Sequence, residues 1–163
     1  MGKIAIAGSG FIGRAWAISF ARAGHDVTLW DQQQDAPARA LDYIDALLPD
    51  LAANDLLNGD SAAAVRARLH PAAGLDEALA DAAYVQENTP EDLAVKRAVF
   101  ARLDAASPKD CILASSTSAL LPSSFTEALA GRNRCIVVHP INPPYLIPAA
   151  EVPTTHGALA KLI

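Results

Sequence analysis

The sequence predicts an α/β fold: a doubly wound, mainly parallel sheet with helices on both faces. Three observations predict it. Short apolar β-rich runs alternate with longer Ala/Leu-rich runs along the 163 residues, and strands this apolar are covered on both sides. A glycine-rich turn, GSGFIG, joins the first apolar run to the first helical one. The composition, 52% hydrophobic and 19% charged, is that of a globular chain long enough to bury a sizeable core.

Taken in order, KIAIAG (3–8) reads as a strand, 11–23 as a helix and HDVTLWD (25–31) as a second strand. A long helix follows over about 33–57, with Pro49 and the Asn-Gly at 58–59 as its candidate stops. Residues 61–67 suit a turn of helix, and 69–72 a short third strand. AYVQEN (83–88) is a strand, 90–106 a helix with Pro90 near its start, and CILASS (111–116) a strand. SSFTEALA (123–130) is helical and RCIVVH (134–139) a strand. No internal repeat, low-complexity tract or linker divides the chain, so 1–163 reads as one domain.

Several function classes drop out. A net charge of −5 provides no basic field, so neither nucleic acid nor an anionic membrane is an expected partner. No apolar run approaches a membrane span, and MGKIAIAGSG lacks the pattern of a signal peptide. Ile6 stands where a myristoylation signal wants Ser or Thr. Cys111 and Cys135 each open an apolar strand and read as buried reduced thiols, which points to a cytoplasmic location. No Cys/His spacing suits zinc, so no metal is expected.

The turn itself carries chemistry. In a strand–turn–helix setting Gly8 allows the tight turn, Gly10 lets backbone approach a pyrophosphate, and Gly13 lets the helix lie close on the sheet. Gly8, Gly10, Phe11, Ile12 and Gly13 therefore form the expected cofactor turn of a Rossmann-type domain, with helix N–H groups facing the phosphates. Asp31 ends the second strand, where a carboxylate accepts the adenosine ribose hydroxyls and repels a 2′-phosphate. Three glutamines follow it and no arginine, which favours NAD over NADP. The same position would also suit a helix N-cap.

VVHPINPPYLIPAAEVP (137–153) holds five of the chain's eleven prolines. Proline fixes φ and removes a donor, so this stretch reads as a rigid extended loop leaving a strand end. It carries His139 and, twelve residues on, Glu151. Oxidation of a hydroxyl needs a proton acceptor, and imidazole suits that role near neutral pH. A carboxylate on the far ring nitrogen fixes the tautomer and stabilises the imidazolium. If the loop turns back, the two meet.

With GSGFIGRAWA at the turn, VQENTPEDLAVK at 85–96, ASSTSALLPS at 114–123 and CIVVHPINPPYLIPAAEVP at 135–153, the chain resembles the L-3-hydroxyacyl-CoA dehydrogenase superfamily. It is most similar to the lambda-crystallin / L-gulonate 3-dehydrogenase branch. The resemblance implies His139 as catalytic base, Glu151 as its partner, and Ser118 as contact to substrate oxygen and nicotinamide. It also implies cofactor roles for Asn142, Glu91 and Lys96. Ser116 departs from the asparagine usual in the hydroxyacyl-CoA enzymes and agrees with the crystallin-like branch. The family form implies a homodimer and a second, helical domain carrying part of the substrate pocket. The twelve residues after Glu151 are too few for that domain, so the chain is expected to be its N-terminal cofactor domain only, and inactive or nearly so alone.

The expected substrate is a small hydroxy acid or an acyl-CoA. Between 32 and 60 the only basic residue is Arg39, against Asp35, Asp42, Asp45, Asp50, Asp55 and Asp60. A polyanionic CoA nucleotide is disfavoured there by roughly 1 kcal/mol per close, partly screened like-charge pair. This points to an L-3-hydroxy acid without CoA; a 3-hydroxyacyl-CoA dehydrogenase and a non-catalytic, crystallin-like NAD-binding protein are the alternatives.

Overall fold

The computed structural model describes residues 2–153. Six parallel strands form one sheet: β1 (Lys3–Ala7), β2 (Asp26–Trp30), β3 (Leu69–Pro71), β4 (Tyr84–Glu87), β5 (Ile112–Ser115) and β6 (Cys135–Val137). Their spatial order is β3-β2-β1-β4-β5-β6. The chain winds outward from β1 in one direction and, from β4, in the other, so the crevice above β1 and β4 is the topological switch point.

Period-two alternation in β1 splits the core. Ile4 and Ile6 pack on one side with α1 (Phe11–Arg22) and α2 (Ala36–Ala53). Ala5 and Ala7 face the other side, with α4 (Leu75–Leu79) and α5 (Leu93–Ala106). Phe100 of α5 meets Phe125 of α6 (Pro122–Thr126) at 4.8 Å between ring centroids, closing that layer. Among the described residues, no helix is long and apolar enough to cross a membrane.

Several element boundaries differ from the sequence reading, each for a local reason. Pro49 lies inside α2 and does not stop it, because Ile44, Leu48 and Leu51 stay buried on the same stripe across the missing N–H. The helix ends at Ala53, and Asn58 and Gly59 form a left-handed turn beyond it. Residues 61–67 do give a short helix, α3 (Ala62–Arg66), capped by Ser61. Helix α5 starts after Asp92, whose carboxylate accepts from the Val95 N–H at 2.9 Å, and not at Pro90. Helix α6 is shorter than expected and opens on Pro122. Helix α4 was not foreseen, although Leu75, Ala78 and Leu79 have helical spacing.

The segment after β6 does more than extend. Val138 breaks the strand, and β7 (His139–Pro140) pairs antiparallel with β8 (Ala150–Glu151). Arg22 of α1 ties this hairpin to the domain by donating to the Tyr145 carbonyl at 2.7 Å and to that of Leu56 at 2.8 Å. Residues 154–163, most of the tail expected to be too short for a second domain, lie outside the described residues.

Cys111 and Cys135 are buried, unpaired thiols, which burial pushes up to about 11 and about 12. Such thiols are inert at neutral pH.

Candidate active site

The glycine turn sits at the switch point and is shaped by contact. Gly8 has φ +97°, and a Cβ there would stand 2.8 Å from the Asn88 carbonyl carbon. A Cβ on Gly13 would lie 1.9 Å from the Gly8 carbonyl oxygen, so α1 reaches the sheet only because that atom is missing. The space a Gly10 Cβ would take is open, leaving backbone exposed at the start of α1. Phe11 is 56% exposed in the first turn, Ile12 half-buried.

Asp31 is held from both sides: its carboxylate accepts from the Ser9 N–H at 2.7 Å and the Gln33 N–H at 3.0 Å. The N-cap of α2 is Asp35, so Asp31 is left for the cleft. A cavity of about 740 Å³ runs from Gly8, Gly10 and Asp31 across to Asn88, Thr89 and Pro90. A smaller one, about 230 Å³, opens on the other side of Asp31 and brings in Arg14 and Arg39, a proximity that three glutamines in a row had concealed.

The loops after β4 and β5 are built on a buried ion pair. Lys96 is 1% exposed; its ammonium donates to both Glu87 oxygens at 2.8 and 3.0 Å and to the Thr89 carbonyl at 3.0 Å. Glu87 also accepts from Ser115 at 2.6 Å. Glu91 reaches across to the other loop, taking the Thr117 hydroxyl and the N–H groups of Ser118 and Ala119. Partial burial opposes ionisation of Glu91, but these donors and the Lys96 charge outweigh it and hold its carboxyl below the usual range. Lys96 was expected to line the cofactor site. Its ammonium is buried, ringed by the acceptors that an ammonium so placed requires.

Ser118 is exposed at the mouth of the β5 loop, and Asn142 is exposed on the hairpin. His139 and Glu151 face each other in register, with Nδ1 3.4 Å from Oε2; the imidazole is 30% exposed and the carboxylate 76%. Beside them lies a network that sequence reasoning missed. Gln86, fully buried, donates to Ser116 at 2.7 Å and to the Val138 carbonyl at 3.3 Å, and accepts from the Tyr84 hydroxyl at 2.6 Å. Ser116 in turn accepts from the Trp16 indole at 3.0 Å and donates to Asn88 at 2.7 Å. The available signal was a polar pair, Gln86-Glu87, inside an apolar strand.

The 3-hydroxyacyl-CoA dehydrogenase NAD-binding domain family matches residues 3–162. The chain belongs to that family. It is 44% identical over 150 residues to a Streptomyces griseus L-carnitine dehydrogenase, covering 92% of this chain and 44% of that one. To a human lambda-crystallin homolog it is 40% identical over 154 residues, covering 93% and 48%. The structure of Escherichia coli 3-hydroxybutyryl-CoA dehydrogenase superposes with a TM-score of 0.89 at 30% identity, over 99% of this chain and 35% of that one. The chain thus spans under half the length of the curated relatives it matches.

As an NAD-binding domain the molecule fits its cofactor. The open backbone at Gly10 leaves room that a pyrophosphate would need, and the 740 Å³ cavity beside Asp31 is large enough that it would accept an adenosine.

Proposed function

We propose that this chain is the cofactor domain of an NAD-dependent oxidoreductase acting on an L-3-hydroxy acid, with His139 as proton acceptor. The observation that carries the reading is the antiparallel pairing that sets the His139 imidazole against Glu151 at 3.4 Å. A Nδ1–H donated to Glu151 leaves Nε2 free to take the hydroxyl proton, and the carboxylate then steadies the imidazolium. Ser118 orients the hydroxyl from the β5 loop, which Glu91 holds from below. Asn142 flanks the nicotinamide end. Lys96 acts through Glu87 and Glu91. NAD, when bound, supplies the hydride acceptor.

The rest of the substrate pocket and the dimer contacts belong to a second domain, as the relatives' greater length supports. Exposed Ile141, Leu146 and Ile147 on the proline hairpin are the face it would cover. In the full protein His139→Ala is expected to lose at least about a hundredfold in turnover, the lower range for a general base, while NAD affinity stays within a few-fold. Near-normal turnover would remove His139 from the reaction.

A free hydroxy acid is favoured by the names of the more similar relatives, since carnitine is itself a 3-hydroxy acid without CoA. An acyl-CoA is the second reading, and one observation keeps it in play. Asp35, Asp45 and Asp60 pair with Arg39, Arg66 and Arg68, so the α2 region is less negative than its residue count suggests. Rates on acetoacetyl-CoA against free 3-hydroxy acids decide between them.

A further inference from the structure

We propose that Gln86 is a positioning residue for His139, standing in for the sheet donor that the Val138–His139 peptide loses where the chain leaves β6. The proposal rests on the reading of His139 as proton acceptor, because Gln86 acts only through that imidazole.

The need for such a donor follows from the ladder. Strands β5 and β6 pair as far as Ser115 and Val137, and the Val138 N–H still donates to the Ser115 carbonyl at 2.9 Å. One step further along a parallel ladder, the Thr117 N–H would donate to the Val138 carbonyl. It donates instead to the Ser115 hydroxyl at 3.2 Å, as the β5 loop bends towards Glu91, which takes the Thr117 hydroxyl and the N–H groups of Ser118 and Ala119. Val138 is buried, so its carbonyl needs another donor from within the protein.

Gln86 provides one from β4, two strands away, with Nε2 3.3 Å from the Val138 oxygen. The amide is held one way round. The Tyr84 hydroxyl donates to Oε1 at 2.6 Å, and the other Nε2 hydrogen goes to Ser116 at 2.7 Å. Ser116 also accepts from the Trp16 indole and spends its own hydrogen on Asn88. Turning the amide over would set Oε1 against the Val138 oxygen, acceptor against acceptor. The hydrogens of Tyr84, Gln86 and Ser116 are thus all used, and Gln86 is fully buried, which fixes the amide and with it the peptide that carries His139. The β5 loop can therefore swing away to present Ser118 while His139, one residue past the anchored carbonyl, keeps its register against Glu151.

Turnover in the full protein tests this, with whichever of L-3-hydroxybutyrate, L-carnitine and acetoacetyl-CoA wild type converts fastest as the probe. Gln86→Met, close in shape but without a donor, is expected to lower kcat by about tenfold to a hundredfold, the scale of a small misplacement of a reacting group, with KM and NAD affinity within about twofold. In a His139→Ala background the same substitution is expected to change residual turnover by less than about twofold, since a residue acting through an imidazole has nothing to act on once it is gone. A residue that merely supported the fold would lower turnover alike in both backgrounds. Thermal melts establish that each variant is folded. If Gln86→Met is not, Tyr84→Phe replaces it: it removes only the donor that sets which end of the amide faces Val138, and is expected to lower kcat about threefold or more, again only where His139 is present. Unchanged kcat in the folded variant, or an equal loss with and without His139, overturns the proposal and leaves Gln86 a satisfied core amide. Near-normal turnover of His139→Ala alone would instead sink the proton-acceptor reading beneath it.

Discussion

At the scale of single residues, the three glycines of the turn look equivalent in sequence and are not equivalent in space. A methyl on Gly13 would meet the Gly8 carbonyl oxygen at 1.9 Å, whereas one on Gly10 would meet nothing of the chain within 4 Å. Gly13→Ala must therefore lift α1 from the sheet and is expected to lower stability by about 3 kcal/mol, the upper end for overpacking. Gly10→Ala is expected to cost at most about 1 kcal/mol as an altered cap, yet to weaken NAD binding by filling the cradle. Paired thermal melts and titrations check the split; equal losses of stability in both variants would show that Gly10 is structural too. The motif could be read from sequence because Gly8 and Gly13 answer steric demands of the same turn, while Gly10 leaves the space that a close-lying phosphate would need. His139 and Glu151 were legible as a pair for a similar reason, since a proline-rich loop between them had to be stiff. The burial of Lys96 against Glu87 was not legible, because spacing along a chain does not say how deep an ammonium lies.

At the scale of elements, boundaries were harder to read than the elements themselves. A near-continuous apolar run marks a parallel strand with both faces covered, and all six strands were placed from the sequence. Helix ends answer to single hydrogen bonds, such as Asp92 capping α5, and these leave little trace in composition. A second such tie fastens the far end of α5. Arg134 donates to the Asp104 carboxylate at 2.7 Å and to the Ser107 hydroxyl at 2.9 Å, joining the C-terminal turn of α5 to the start of β6. Burial works against ionisation of Asp104, but the hydrogen bonds from Arg134 and Gly131 and the charges of Arg134 and Lys109 prevail, so its carboxyl is held below the usual range. A folded pKa below the unfolded value of about 3.9 stabilises the protein above that pH, and the contribution is lost as pH falls through the folded value. Asp104→Asn is thus expected to be less stable than wild type at pH 6 and to approach it as pH drops toward 2, measured by urea denaturation across that range. Arg134→Met should cost more, about 3–5 kcal/mol, since it strands the carboxylate.

At the scale of the whole molecule, the catalytic pair proposed here rides on the least supported part of the fold. The six-stranded sheet is gripped on both faces, while β7 and β8 are two residues each and present Ile141, Leu146 and Ile147 at 45%, 49% and 43% exposure. Besides the β7–β8 ladder, a few ties fasten the hairpin: the Ile141 N–H donating to the Ala149 carbonyl at 3.0 Å, the Arg22 guanidinium on the Tyr145 carbonyl, and Tyr145 and Val152 packed on the core. Stability is therefore uneven, and the hairpin is expected to open without unfolding the sheet. In this chain, hydrogen exchange at Ile141 should run at least about a hundredfold faster than at Ile6 or Val85, equivalent to an opening free energy lower by about 2.7 kcal/mol. Arg22→Ala should speed exchange at Ile141 further and leave Ile6 unchanged. Covering the apolar face with the proposed second domain should slow exchange at Ile141 selectively, because the 3.4 Å approach of His139 to Glu151 depends on the strand pairing that the cover would stiffen. Protection at Ile141 equal to that at Ile6 in this chain would mean that the hairpin holds the pair without help, and that the second domain is needed for substrate alone.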